Sequence, residues 1–389
     1  MKKVISTILA VVFILLSAIS TSAVGNIIPR RGDADLDGKI TANDARLIIR
    51  CTVGLEKPSR LMQYVYDTDY DEKITSTDAR YALRISVGLE DTALAPEVAE
   101  DAAKKAASKV SEKELSRLMK ELCGMGSRSI FFPETNKKAA DYIFNELKDA
   151  GFTPEMQYFT YNGVSTQNIT AFLTESKPDK DILLLCAHYD NWHGSEGAID
   201  NASGVAALLH TVRLLKEYAV GFETELRIAI FSVEEMGYYG AYHYLENLTE
   251  DEKSRLSVLN VDMAGNSKLG GGRALCVSTN SNYIDVTESN SVSKAVDIAK
   301  KFTGDLGEEE YYCAVAAGLN DIIPFERAGI PAATLSWREV DYNRSPYADY
   351  GLASPSQIHT TDDSYENFNM ESLVSTTKLI VNSLILSYT

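Results

Sequence analysis

The chain has 389 residues, 45% of them hydrophobic and 24% charged, with a formal net charge of −17. That is room for two domains and a sizeable core at an ordinary soluble composition. The acidic surplus excludes nucleic acid and an anionic membrane as natural partners, and leaves solubility and bound cations as its explanations.

The first segment, MKKVISTILAVVFILLSAISTSAVG, has a basic start at Lys2 and Lys3, an apolar stretch from Val4 to Ile19 and a small-residue exit at Thr21-Ser22-Ala23. This is the pattern of a secretory signal peptide over residues 1–23, cleaved after Ala23. A membrane anchor is the competing reading, but the apolar stretch is short for a spanning helix. No cysteine near the cleavage point offers a lipid attachment site. A secreted, extracellular protein is expected, with no membrane insertion after signal cleavage. The C-terminal LVSTTKLIVNSLILSYT is broken by polar residues at helical spacing and reads as a docking helix. The five cysteines, Cys51, Cys123, Cys186, Cys276 and Cys313, are scattered without a CxxC. That argues against a thiolate zinc site and leaves one disulfide open, with no pair favoured.

Two segments then repeat each other at an offset of 34 residues, DADLDGKITANDARLIIR from Asp33 and DTDYDEKITSTDARYALR from Asp67. Asp33, Asp35, Asp37, Thr41 and Asp44 occupy positions 1, 3, 5, 9 and 12 of a calcium loop, and Asp67, Asp69, Asp71, Thr75 and Asp78 repeat the set. The main-chain carbonyls of Lys39 and Lys73 supply position 7. Hard oxygen ligands alternating along a tight loop point at one centre, where Ca²⁺ offsets their repulsion. Gly38 makes the sharp turn at position 6 of the first loop, whereas the second has Glu72 there, a departure that weakens that site. A solvated acidic loop is the bland alternative. Two copies in register, each running into an apolar helical stretch, argue against it.

A duplicated loop with only its exiting helix and with Asp at position 12 resembles a type I dockerin, over residues 28–90. The resemblance implies a small all-α domain with two bound Ca²⁺, docking onto a cohesin module of a cellulosome scaffold. It also implies partner contacts at loop positions 10 and 11, here Ala42 and Asn43, then Ser76 and Thr77. The two halves differ at these positions, which counts against a symmetric dual binding mode. An intramolecular clamp is the competing use of the loops. Residues 91–110 read as a linker, rich in Ala, Lys and Glu, that becomes helical as the next domain begins.

From about residue 98 to 389 the pattern alternates strands and helices. DILLLCAHYD, ELRIAIFSVEE, RLSVLNVDMAG and PAATLSW are continuous apolar runs, as expected of strands buried on both faces. SGVAALLHTVRLLKEY and DIIPFERAG read as helices between them. The expected fold is α/β, a mostly parallel mixed sheet sandwiched by helices. Sites in such sheets form beyond the carboxyl ends of the strands. There the runs deliver His188 and Asp190, then Glu234 and Glu235, then Asp262. Asp200 stands before a helix start with Asn201 and Ser203 placed to cap it, and His359 precedes the last helix. A lone Asp at a strand end is usually a turn residue, but this joint occurrence is not. His188, Asp200, Glu235, Asp262 and His359 combine imidazole and carboxylate without thiolate, which suits two zinc ions better than one. There is no HExxH.

HYDNWHGSEGAIDNASG, FSVEEMG, LNVDMAG, GLNDIIPFERAGIPA and IHTTDDSYE together resemble the di-zinc aminopeptidase family of the aminopeptidase Y and bacterial leucyl aminopeptidase type, zinc exopeptidases. The resemblance implies that His188 and Asp262 bind one Zn²⁺, that Glu235 and His359 bind a second, and that Asp200 bridges them. It further implies that Asp190 orients His188 by accepting its hydrogen bond, and that Glu234 is the general base for metal-activated water attacking a peptide substrate. One departure is Asp321-Ile322, where the family commonly has Asp-His. Tyr342, Tyr347 and Tyr350 lie in a suitable loop for an oxyanion-stabilising group, though none stands out. His193 reads as a non-ligand polar residue near the site, and His210 and His243 as structural or surface histidines. Competing functions are a single-zinc glutaminyl cyclase-like enzyme of the same fold and a catalytically silent adhesive module. Carboxypeptidase and dipeptidase activity also stay open.

Overall fold

The structure is a computed structural model that describes residues 32–35, 39–55, 65–68, 73–89, 96–176, 180–216, 222, 224–269, 273–279, 311–315, 320–340 and 352–388. The signal segment, Asp37, Asp69, Asp71, Tyr342, Tyr347 and Tyr350 lie outside these residues. Among the described residues no helix is long and apolar enough to cross a membrane.

Two short helices, α1 (Ala42–Thr52) and α2 (Ser76–Ser86), follow the two acidic loops for the same local reason. Thr41 and Thr75 are N-caps whose hydroxyls accept from Asn43 and Thr77 N–H, 3.1 Å each. The aspartates Asp44 and Asp78 return the favour to the cap backbone at 2.8 and 2.6 Å, completing capping boxes. Their other oxygens accept from Ala34 and Thr68 N–H at 2.8 and 2.7 Å, which folds each loop back onto its helix. Ala45, Ile48, Ala79 and Ala82 pack between the helices with Val65 and Tyr66.

The second domain begins with α3 (Pro96–Ala107), α4 (Glu112–Gly124) and α5 (Pro133–Asp149). Ala102, Ala103 and Ala106 of α3 belong to the main core, so the helical part of the segment read as a linker is a packed element. A hairpin follows, β1 (Glu155–Tyr161) and β2 (Val164–Phe172), turned by Asn162 and Gly163 at φ 47° and 82°. The remaining strands are β3 (Ile182–His188), β4 (Glu225–Phe231), β5 (Leu256–Val261), β6 (Asn266–Ser267), β7 (Arg273–Thr279), β8 (Tyr311–Val315), β9 (Ala332–Val340), β10 (Leu352–Ala353) and β11 (Phe368–Asn369). The helices between and after them are α6 (Ser203–Leu215), α7 (Tyr239–Glu246), α8 (Glu250–Arg255), α9 (Ile323–Arg327) and α10 (Met370–Tyr388).

The sheet order is β1-β2-β4-β3-β5-β9-β7-β8, with β10 paired to β9. Its centre, β4-β3-β5-β9, is parallel, and antiparallel pairs flank it. The expected sandwich holds, and the all-apolar runs are its buried middle. On β3 alternate residues serve opposite faces: Leu183, Leu185 and Ala187 join one core with α4, α5, α6 and α10, and Ile182, Leu184 and Cys186 join the other with α7 and α9. Ile322 also packs in that second core, 1% exposed, so the residue at the family's histidine position is a packing residue here. Cys123 and Cys186 are buried free thiols.

His210 on α6 is buried, and its Nε2 accepts the N–H of Ser111, the cap of α4, at 2.9 Å. Burial lowers its pKa from 6.5 to about 4. The unfolded imidazole takes a proton first, so stability is full above pH 6.5 and falls as the pH drops to about 4. The loss is about 3 kcal/mol at the acid limit. His210→Gln keeps an acceptor for Ser111 and is expected to flatten that part of the stability profile, read by urea unfolding between pH 4 and 7.

Candidate metal centre

His188 ends β3 in register with Phe231 of β4, and the chain beyond each strand supplies the site. After β4, Val233 takes a left-handed φ of 62°, rare for a β-branched residue, and turns Glu234 and Glu235 towards His188 and His359. After β5, Asp262 is followed by Met263 at φ 58°, and His359 itself has φ 61°. Asp200 lies on an irregular π-type turn, Ala198–Ala202, with a cis peptide bond to Asn201.

These elements bring the five predicted ligands together. His188 Nε2 lies 3.1 Å from Asp200 Oδ1 and 3.4 Å from Asp262 Oδ1. His359 Nε2 lies 3.4 Å from Asp200 Oδ2 and 3.1 Å from Glu235 Oε2. Asp200 thus offers one oxygen to each of two groups of donors, His188–Asp200–Asp262 and Asp200–Glu235–His359, each mutually within 4.8 Å. Donors about 2.0–2.1 Å from a tetrahedral zinc stand roughly 3.3 Å apart, which is the spacing seen. Glu235 Oε1 and Asp262 Oδ1 are also buried without a hydrogen-bond partner. Carboxylates gathered this way, with unsatisfied oxygens pointing inward, fit cations.

Glu234 Oε2 stands 4.0 Å from His188 Nε2. Burial pushes Glu234 well above the usual carboxylate range; His188 opposes this, and Asp321 and Asp262 add to it. Burial, then Asp200, raises Glu235 to about 7. Asp200 behaves oppositely: burial works against its charge, but hydrogen bonds with His188 and His359 outweigh it and hold it low. Asp190 is placed differently from the expectation. His188 Nδ1 faces the Asp190 main-chain carbonyl at 3.1 Å, with the carboxylate 3.7 Å away. That carboxylate instead accepts Glu234 N–H at 3.1 Å and Glu235 N–H at 3.3 Å.

Several further residues support the site. Asp363 is fully buried and accepts the N–H groups of Ile199 and Asp200 at 2.6 and 3.3 Å. Asn201 caps α6 by accepting Gly204 N–H at 2.9 Å, accepts Met263 N–H at 3.1 Å and donates to Val261 O at 2.9 Å. Ser203 instead donates to Ile199 O at 2.7 Å. A Cβ on Gly204 would meet Val261 O at 2.3 Å, so only glycine lets α6 come this close to β5. Arg128, fully buried, donates to the carbonyls of Tyr189, Leu122, Glu196 and Gly197 and so braces the loop that leads to Asp200. Asp321 is buried with neither carboxylate oxygen hydrogen-bonded. Of the other histidines, His193 stacks on Trp192, and His243 stacks on Phe159 at 4.9 Å, away from the two groups.

In the small domain Asp33, Asp35 and Asp44 form a third group of donors within 4.8 Å. Lys39, Thr41, Asp67, Lys73, Thr75 and Asp78 lie among the described residues, with Thr41 and Thr75 as helix caps.

A parallel-centred sheet sandwiched by helices, with two donor groups sharing one carboxylate at its strand ends, is the architecture of the zinc exopeptidase class. Residues 168–384 match peptidase family M28, and the chain belongs to that family. Residues 31–81 match the dockerin type I domain. Leupeptin-inactivating enzyme 1 of Streptomyces exfoliatus is 28% identical over 60% of this chain and 51% of its own length. Aminopeptidase YwaD of Bacillus subtilis is 30% identical over 61% of this chain and 47% of its own. The chain therefore spans about half the length of the curated relatives it matches. The crystal structure of Legionella pneumophila LapA aminopeptidase shares the fold, with a TM-score of 0.59 at 18% identity over 75% of each chain.

His359→Ala is expected to leave about one zinc per chain and Asp200→Ala close to none, by elemental analysis after dialysis against zinc. Asp44→Ala removes one donor of the Asp33–Asp35–Asp44 group and the Asp44 half of the α1 capping box, and is expected to weaken calcium binding by the chain, read by calorimetric titration.

Proposed function

We propose that the protein is a secreted, zinc-dependent aminopeptidase that removes N-terminal residues from peptides and is carried to a cellulosome by its dockerin. The observation that carries this reading is Asp200, with one oxygen towards each donor group and Glu234 beside the first. His188, Asp262 and Asp200 would hold one Zn²⁺, and Glu235, His359 and Asp200 the other. Zinc there supplies charge that polarises a scissile carbonyl and makes water a nucleophile at neutral pH.

The chain's own groups do the rest. The Asp190 carbonyl facing His188 Nδ1 can only accept, so the proton sits on Nδ1 and Nε2 keeps its lone pair for the metal side. The Asp190 carboxylate fixes the backbone of both glutamates, and so acts as a positioning group. Glu234, 8% exposed, takes the proton of the attacking water and passes it to the leaving nitrogen. A glutaminyl cyclase-like enzyme with one zinc has no use for the second donor group. A silent module has no use for Glu234 next to His188.

For the dockerin, two Ca²⁺ organise the loops, and Ala42, Asn43, Ser76 and Thr77 contact the cohesin of a scaffold protein. Ala42, Asn43 and Ser76 are exposed at the starts of α1 and α2, as such contacts require. Calcium-dependent pull-down of a cohesin distinguishes this from an internal clamp.

Hydrolysis of aminoacyl p-nitroanilides tests the enzymatic reading. Glu234→Gln is expected to lower kcat by about 10²–10⁴-fold with the zinc count unchanged. Full activity in that variant would sink the assigned role.

A further inference from the structure

Arg338, near the end of β9, is 6% exposed, and two hydroxyls hold its guanidinium. Nε donates to Ser336 Oγ and Nη1 to Ser354 Oγ, 3.0 Å each. Among the described residues no carboxylate pairs with it, and Nη2 has no acceptor. The other buried arginines are answered more fully. Arg227 pairs with Glu225 and Glu252, and Arg128 donates to four carbonyls. Taking a cation out of water is costly unless an anion or a full set of acceptors offsets it. Two neutral hydroxyls offset only part. Nη2 is not among the sealed polar atoms without a partner, so it forms the edge of the guanidinium that solvent reaches.

The strand register puts that edge beside the metal centre. β7 pairs with one side of β9 out to Glu339. β5 pairs with the other side up to Leu335, and the ladder runs on from Asp262 N–H to Leu335 O at 3.1 Å and from Trp337 N–H to Met263 O at 3.0 Å. Asp262, a donor of the first group, therefore stands across from Ser336. Arg338 is two residues farther out on the same face, about 7 Å along the strand. Met263, at φ 58°, turns β5 away there, and β10 takes its place against Glu339 and Val340. Ser354 follows β10 and precedes His359, a donor of the second group, by five residues. By bonding both serines, Arg338 spans the gap that β5 leaves, between the segments that carry Asp262 and His359.

We propose that Arg338 is a recognition site for a substrate carboxylate at the rim of the metal centre. A guanidinium is a planar fork that matches a carboxylate through two parallel hydrogen bonds, and here one edge of the fork is uncommitted. The carboxylate has two possible sources, the C-terminus of a short peptide and an Asp or Glu side chain. The proposal rests on the aminopeptidase reading for the class of substrate.

The test compares substrates that differ only in that group. One arm sets L-leucylglycine against its C-terminal amide. The other sets the L-α-glutamyl against the L-glutaminyl p-nitroanilide. In at least one arm the wild type is expected to favour the carboxylate in kcat/KM, and Arg338→Gln to lower that ratio about 10-fold. Arg338→Lys keeps the charge without the fork and is expected to give an intermediate ratio. The zinc content of each variant should equal that of the wild type. Should Arg338→Gln lose zinc or its fold, Arg338→Met, which keeps the apolar stem, replaces it under the same criteria. A fall in the first arm identifies a terminal carboxylate, and a fall in the second an acidic side chain; either upholds the site. A wild type that favours the carboxylate in neither arm overturns it. So does a preference that the substitution leaves unchanged, which would make Arg338 a tie between β9 and β10 only. Failure of the wild type to cleave any of the four substrates would instead defeat the aminopeptidase reading. Calorimetric binding of each pair to the zinc-loaded wild type then decides the site. Tighter binding of a carboxylate form that is lost in Arg338→Gln upholds it, and equal binding within both pairs overturns it.

Discussion

Asp200 must present one oxygen to His188 at 3.1 Å and the other to His359 at 3.4 Å from a turn with no regular hydrogen-bond ladder to hold it. Free, such a carboxylate would swing away from Asp262 and Glu235. The fold fixes it from three sides. Asp363 anchors the main chain of Ile199 and Asp200, Asn201 ties the turn to the end of β5, and Arg128 grips the carbonyls of the preceding loop. Asp363 lies four residues beyond His359, so one loop carries a donor of the second group and the clamp on the shared carboxylate. Arg128 is a buried cation satisfied by carbonyls alone, a placement that burial disfavours and that several hydrogen bonds offset.

The adjacent pair Glu234–Glu235 is governed by the same geometry. Consecutive residues leaving a strand diverge, and Val233's left-handed turn sets the angle. Glu235 reaches His359 at 3.1 Å, while Glu234 stays on the His188 side. Repulsion between the two is not relieved by distance along the chain. It is relieved by giving each a different imidazole and by one acceptor, Asp190, that holds both backbone N–H groups.

The metal centre was legible because buried strands end abruptly. A run such as ILLLCAH has no reason to finish on a histidine, nor RIAIF to run on into two glutamates, unless their ends are used. The acidic loops were legible for a similar reason, a fixed spacing repeated at an interval. Arg128 and Asp363 were not, because each acts on main chain brought near only by the fold. Asp363 touches residues 163 and 164 positions away. No periodicity reports a contact of that kind. The β1–β2 hairpin did carry a local signal, Asn162-Gly163 between alternating residues, and the turn it encodes places Thr166 and Asn168 where their side chains meet Ser232 before the two glutamates.

The two domains face one electrostatic problem, several carboxylates drawn to a point, and solve it with different partners. In the dockerin loops, backbone N–H groups of Ala34, Asp35 and Thr41 take up most of the lone pairs of Asp44. The carboxylate closes its loop locally, and the same contacts cap a helix. A cation bound there would be held by the same carboxylate that completes the capping box, which couples its binding to the folding of the loop. At the sheet edge the donors come from five separate segments, and imidazoles stand where the loops use main chain. The scaffold there is already fixed by buried strands, so the donors can be held apart in two groups with a free carboxylate, Glu234, left over beside them. A loop that folds around its ion cannot keep such a group in reserve. A site assembled on a rigid sheet can, and that spare carboxylate separates a centre able to move a proton from one that only holds a charge.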